Sequence, residues 1–460
     1  MADESDSAPD AKRWRTALWR GETAPIPVVR TPSRAVYPRR GPACDEQVAG
    51  IEHAEQVALR IGTLLLAGGA PTEDVEAAVF AVGTALGLRN FEVDITYNSI
   101  LLSVAPGPGH SGLSDMRVVR SRSTHYARVA AAHQLVLDLA DGVVDRDRIE
   151  ARLGEVERMR RPFQRWLIVP ASGALSAAIT VGLGGDAMTA VIAFATASVT
   201  GFAGERMTHH RVPAFFVNVV LALFATLVAV ALTGTDVKAK SSLVIVGGII
   251  ALLPGMSLMV AAQEAIGSFA VTAAARIVEL TVSTVGIVAG VLFGLVVAKE
   301  FDVEMQLTVR PGSTAGTVTV VALAAAVASV AAAVSYQSPR RLALVAGVIG
   351  SLGVLVLAGV EPVIASPGAS TAIPAVVIGF ASRLIGSRLR VPTVLVTVPA
   401  IIPLLSGLAL YQGLLFVTQS EPSKGIASLV EAVSIALALA AGVLLGQLIG
   451  GLFVRRGSQH

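Results

Sequence analysis

The chain has a single cysteine in 460 residues, Cys44, so it forms no internal disulfide and offers no thiolate set for a metal or a redox pair. Charge is scarce as well, with 15% Asp, Glu, Lys and Arg against 53% hydrophobic residues and a mean hydropathy of +0.68. That balance excludes an ordinary soluble protein and puts the membrane class first. The net charge of +3 is too small to mark a nucleic-acid surface, and the arginines are better explained by membrane topology. There is no glycine-rich phosphate loop. His209 and His210 beside Glu205 lack the further ligands a metal needs, and His125, His133 and Asp138 match neither a metal nor a nucleophile pattern. No cofactor, metal or enzyme chemistry is therefore expected. Nor is a secretory leader, because the amino terminus is polar well past the usual window.

The charge that is present is uneven. Residues 1–165 hold 21 of the 36 Lys and Arg and 22 of the 33 Asp and Glu, which leaves 26 charges for the final 295 positions. A polar third therefore precedes a membrane two-thirds. Residues 1–45 are rich in Pro, Ser, Arg and Ala without apolar periodicity and read as a disordered basic tail. Within the tail, Lys12 to Arg20 mixes cations with Trp14 and Trp19 and either rests on an anionic membrane face or is solvated.

Residues 46–165 read as a small α+β domain. Val57, Ile61 and Leu64 keep helical spacing, as do Val75, Val79, Val82 and Leu86 after Thr72, a candidate cap. Phe91, Val93, Ile95 and Tyr97 alternate with polar residues, Asn98-Ser99 offers a turn, and Ile100, Leu102 and Val104 resume the alternation, which predicts a hairpin. Two amphipathic helices are expected near 123–140 and 146–160, with Asp145 capping the second.

From Trp166 onward the expected fold is mostly α, a polytopic membrane region of about ten spans. They fall near 166–183, 187–204, 213–233, 242–263 and 276–298, then 316–335, 341–360, 370–387, 391–418 and 425–453, each close to the ~20 apolar residues a bilayer needs. An external linker, 299–315, separates a first five-helix half (166–298) from a second (316–456). With the domain cytoplasmic, the inner loops and tail carry ten arginines against five cations outside, favouring an inside amino terminus. An offset of about 149 residues brings the early spans onto the late ones within several residues. Because each half has an odd number of spans, the second enters from the opposite side, giving inverted repeats.

Two corresponding spans are interrupted. Leu253-Pro254-Gly255 breaks the fourth, and Pro399, Pro403 and Gly407 break the ninth, where Ser406 adds a hydroxyl. Matched broken helices point to a binding site, since half-helix ends present unpaired amides and carbonyls. Beside the first break stand Ser257, Gln263, Glu264, Arg276 and Glu279, with Asn218 as a further hydrogen-bonding partner. Arg276 and Glu279 share a helical face and either neutralise each other or compete with Glu264 across the Gly267-Ser268 turn, which would hold one carboxylate near neutrality. Glu264 is either a loop residue at the cytoplasmic end or a protonatable coupling group.

The segments GTLLLAGGAPTEDVEAAV and LGLRNFEVDITYNSILLS resemble the amino-terminal domain of the threonine/serine exporter (ThrE-like) family. ALLPGMSLMVAAQEAIGSFAVTAAARIVE and VPAIIPLLSGLALYQGLL resemble that family's interrupted segments in its first and second membrane halves. Gly68 departs from the pattern, where Ser is expected, as do Glu264, where Asp is expected, and Leu404, where Gly is expected. The resemblance implies a ten-span exporter of threonine and serine in a bacterial cytoplasmic membrane, driven by protons or the membrane potential. It leaves open a homo-oligomer, a dicarboxylate (succinate) exporter of the same architecture, and a membrane-anchored sensor or enzyme working through residues 46–165.

Overall fold

The computed structural model describes residues 42–105, 112–120, 125–144, 148–233, 241–249, 252, 255–300, 318–405, 409, 412–413, 416 and 421–457. Most of the expected tail, the linker from 301 on, Asp145, Pro254, Ser406 and Gly407 lie outside the described residues. By internal contacts the chain divides after Gly50. The described part of the first unit is the opening of helix α1 (Pro42–Ala67), which starts inside the segment expected to be disordered. All later elements belong to the second unit, Ile51–His460.

The domain is built from α1, α2 (Thr72–Ala85), three strands, α3 (Tyr126–Ala140) and α4 (Ile149–Glu157). The sheet is antiparallel in the order β1 (Phe91–Ile95), β2 (Ser99–Val104), β3 (Leu113–Val118). A hairpin forms where one was expected, with Phe91 opposite Val104 and Ile95 opposite Ile100, but Ser99 opens β2 and is not part of the turn. Ile100, Leu102 and Val104 are fully buried against Val57, Ile61, Val75 and Val79, each contributing about 1.5–3 kcal/mol by leaving water. Tyr97 does not continue the strand alternation; β1 ends at Ile95 and the turn carries Tyr97 out of the sheet. Thr72 is the first helical residue of α2, and the capping position falls to Pro71. His125 caps α3, its Nδ1 accepting from the Arg128 amide at 3.2 Å. Arg60 ties α1 to α4 through Glu150 (2.6 Å) and Glu157 (2.9 Å).

Gly69, at φ +89°, takes the left-handed conformation that ends α1. A Cβ on Gly68 would lie 2.2 Å from Val129 Cγ2 on α3. That approach accounts for glycine at a position where the resemblance leads to serine.

The remaining helices are α5 (Arg165–Gly182), α6 (Ala187–His209), α7 (Ala214–Thr233), α8 (Ser241–Ile249), α9 (Gly255–Ile266) and α10 (Ala270–Glu300). They are followed by α11 (Val318–Ser335), α12 (Arg340–Val360), α13 (Pro367–Leu389), α14 (Val394–Ile401) with a 3-10 turn at Ile402–Leu404, and α15 (Pro422–Gly457). Among the described residues, seven are long and apolar enough to cross a membrane: α6, α7, α10, α11, α12, α13 and α15. Two apolar stretches are shorter, Trp166–Gly182 and Val394–Leu404. The expected fourth span is divided into α8 and α9, which flank the Leu253-Pro254 position.

Packing partners recur along the chain. In the first part α5 packs on α6 and α8, α6 on α7 and α8, and α7 on α8 and α10. In the second, α11 packs on α12 and α14, α12 on α13 and α14, and α13 on α14 and α15. The two sets meet through α5 with α11 and α9 with α15. The closest approaches use glycine, since a Cβ on Gly290 of α10 would sit 2.3 Å from the Val219 carbonyl oxygen of α7, and one on Gly446 of α15 would sit 2.1 Å from that of Val376 on α13.

The domain sits on the ends of these helices. The first amides of α3, at Tyr126 and Ala127, donate to the Tyr336 and Gln337 carbonyls in the α11–α12 connection, both at 3.0 Å. Donors that α3 leaves unpaired within itself are thus satisfied. The Phe163 amide donates to Gln337 Oε1 (3.2 Å), and Arg390, just past α13, pairs with Asp141 at 2.5 Å.

Candidate functional site

The Pro-Gly interruption lets α9 begin afresh at Gly255 and run to Ile266, placing Gln263 and Glu264 on its last turn. Glu264 is 4% exposed and is not a solvated loop residue. A buried carboxylate needs partners. Glu264 Oε1 finds them by accepting from the Thr72 hydroxyl at 2.9 Å and the Thr72 amide at 3.3 Å, and by pairing with Arg276 at 3.5 Å. The carboxylate therefore stands at the amino end of α2, where the first amides have no helical partner and the helix dipole favours negative charge.

Arg276 lies near the start of α10 and reaches Glu264 across the Gly267-Ser268 turn, where Ser268 has φ +70°. Glu279 takes a different partner. Its exposed carboxylate accepts from the Tyr97 hydroxyl, and the Arg276 guanidinium lies over the Tyr97 ring at 5.8 Å. The expected contest among three charges is thus divided between two loops of the domain, Pro71-Thr72 and Thr96–Asn98. Neither loop's role was visible beforehand, because both contacts join residues about 180 to 190 positions apart.

A recess opens beside Glu264. Pro71, Glu73 and Asp74 of the domain form one wall and Met259, Gln263 and Glu264 another. Thr393 just before α14, Thr397 of α14, and Leu444 and Gln447 of α15 close it. Gln447 Nε2 donates to Thr393 Oγ1 at 3.3 Å, and the Thr397 hydroxyl donates to the Thr393 carbonyl at 2.9 Å. Asp74 keeps an accessible surface within this recess while protein surrounds it. The crowding, reinforced by Glu73 and Glu264 and opposed by Arg383, pushes its carboxyl up from 3.8 to about 6. Asp74 carried no distinguishing signal in the sequence beyond its place in the first turn of α2.

The other predicted residues fall elsewhere. Asn218 of α7 donates to the Ser283 hydroxyl (2.6 Å) and carbonyl (3.3 Å) of α10, an interhelical link away from the recess. Ser257 is half-buried and Gly255 buried on α9, outside the lining. Pro403 lines a separate apolar cavity with Ala178, Val321, Ala325 and Leu357. Helix α14 thus borders the recess near its start, and the 3-10 turn that follows it borders the other cavity.

A family model described as "Putative threonine/serine exporter" (ThrE) matches residues 56–298, more than half of the chain. The chain belongs to the threonine/serine exporter family. A second model, "Threonine/Serine exporter, ThrE", matches residues 321–449, so the two matches divide where α10 gives way to α11. The "Probable threonine/serine exporter" of Mycobacterium tuberculosis is similar at 31% identity over 462 residues, covering 97% of this chain and 84% of that protein. The "Threonine/serine exporter" of Corynebacterium glutamicum is similar at 30% over 415 residues, covering 88% and 83%. No solved structure matches. The ThrE match beginning at residue 56 takes in both domain loops and all three charges of the cluster.

Proposed function

We propose that the chain is a secondary exporter of threonine and serine in a bacterial cytoplasmic membrane, driven by the proton motive force. The observation that carries this reading is Glu264, a buried carboxylate at the end of an interrupted apolar helix and open to a recess between the domain and the membrane helices. Carboxylates placed at such breaks serve as proton or cation sites in transporters. The names of the relatives support the substrates. Glu279, one helical turn beyond Arg276, is the second proton-carrying candidate.

Orientation follows from the arginines. Arg276, Arg340 and Arg390 all lie at the domain-facing ends, touching Tyr97, Phe163 and Asp141. The positive-inside bias then puts the domain and the amino terminus in the cytoplasm. The recurring helix pairings support two halves of five spans in inverted orientation, with α8 matching α14. In this scheme one half rocks against the other, the substrate carboxylate meets half-helix amides near Gly255 or Gly407, and its ammonium meets an acidic group. A dicarboxylate suits the recess poorly, because Glu73, Asp74 and Glu264 line it and no cation does so among the described residues.

The test is efflux of labelled threonine, serine and succinate from proteoliposomes holding the purified chain, with and without an imposed pH gradient. Gradient-dependent movement of threonine and serine is expected. Movement of succinate alone, or of none of the three, would sink the proposal.

A further inference from the structure

Among the described residues, Glu264 meets its partners through one oxygen. Thr72 and Arg276 all engage Oε1, while Oε2 accepts no hydrogen bond among the described residues although the side chain is 4% exposed and borders the recess. Across the same recess stands Asp74, supplied by the domain and not by the membrane helices. An oxygen that opens onto the recess keeps its lone pairs for a donor that enters it. Two facing carboxylates further select a positively charged donor.

On the exporter reading, we infer that Asp74 and Glu264 together form the ammonium subsite at which the amino acid enters, so that the α+β domain is part of the substrate site. Gln447 and Thr393, on the far wall, supply the hydrogen-bonding pair for a short hydroxylated side chain. Met259 and Leu444 close the apolar remainder and exclude longer chains. The protein crowded round Asp74, and then Glu73 and Glu264, raise its carboxyl against Arg383, so a bound ammonium relieves the repulsion among these acids. The selected ligand class is a free α-amino acid with a small polar side chain, and its amine must be unblocked.

The experiment measures binding of L-threonine and of N-acetyl-L-threonine to the full-length protein in nanodiscs, for wild type and Asp74→Asn. Wild type is expected to bind threonine at least tenfold more tightly than the acetylated form, and Asp74→Asn to weaken threonine at least tenfold with a melting temperature no lower than that of wild type. Equal binding of the two ligands by wild type overturns the ammonium subsite, and needs no variant to fold. An unchanged threonine Kd in folded Asp74→Asn overturns the role of the domain. Wild-type threonine efflux, measured beside these, separates the two levels. Efflux without Asp74 dependence removes the subsite alone, whereas absent efflux removes the exporter reading and the subsite with it.

Discussion

The Thr72 hydroxyl donates to Glu264 Oε1 at 2.9 Å across 192 positions of sequence, and the Thr72 amide follows at 3.3 Å. One carboxylate thus serves as the anionic partner of a helix start in the domain and as part of the last turn of α9. Removing it leaves Arg276, 13% exposed, without its ion pair and α2 without its acceptor. Glu264→Ala is expected to destabilise the docked domain by about 3–5 kcal/mol, the usual cost of stranding one member of a buried pair. Glu264→Gln keeps an acceptor for Thr72 and is expected to cost less, about 1–3 kcal/mol. Hydrogen exchange at the start of α2 reads the difference, and equal exchange in the two variants would refute it.

Tyr97 divides its contact between a charge and a ring face. Tyr97→Phe removes the donor to Glu279 but keeps the ring beneath Arg276. Because Glu279 is exposed, the lost hydrogen bond is expected to cost about 1 kcal/mol or less. Tyr97→Leu also removes the cation–π contact, adding about 0.5–1 kcal/mol. Proteolytic release of the domain is expected to rise from wild type to Phe to Leu. Identical rates for Phe and Leu would show that the guanidinium gains nothing from the ring.

Much of the fold was legible because it follows local periodicity. The hairpin came from the alternation through Phe91 and Ile100, although its turn falls at Thr96–Asn98 and not at Asn98-Ser99, and the apolar helices from uninterrupted runs. Strand β3 was missed for a physical reason: Leu113–Val118 is an edge strand that buries none of its side chains, so no alternation was selected. The Pro254 interruption was likewise readable, but what Glu264 faces was not. Its partner is a helix start in another domain, and neither composition nor spacing encodes that meeting. The same limit hid Asp74, which takes its character first from the protein crowded round it and only then from Glu73, Arg383 and Glu264.

The glycine approaches predict a sharp positional effect. A methyl at Gly290 or Gly446 would lie 2.3 or 2.1 Å from a backbone oxygen on the neighbouring helix, and a backbone atom cannot yield as a side chain can. Gly290→Ala and Gly446→Ala are each expected to cost at least about 1–3 kcal/mol through forced helix separation. Gly182→Ala is the control, since nothing lies within 4 Å of a Cβ there. Thermal stability in detergent checks the contrast, and a Gly290→Ala melting curve matching that of Gly182→Ala would contradict the packing.

Asp74 gives the pH prediction, and its sign runs opposite to that of a carboxylate held in an ion pair. Its folded-state pKa is raised from 3.8 to about 6 by the protein crowded round it, Glu73 and Glu264, with Arg383 in partial opposition. Between those two values the folded chain holds a proton that the unfolded chain has released. Its contribution to stability is therefore greatest below about pH 4 and is lost as pH rises through about 6. At pH 7.5 the ionised Asp74 is a standing cost, and Asp74→Asn, which carries no charge, is expected to melt higher than wild type. Near pH 5 the gap is expected to narrow as wild type takes up its proton. Melting curves of both proteins from pH 5 to 8 test this, and a gap that is constant or widens on acidification would show that Asp74 does not titrate as its surroundings require. A variant that is more stable yet binds threonine less tightly would mean that Asp74 is retained for the ligand it receives at a cost to the fold.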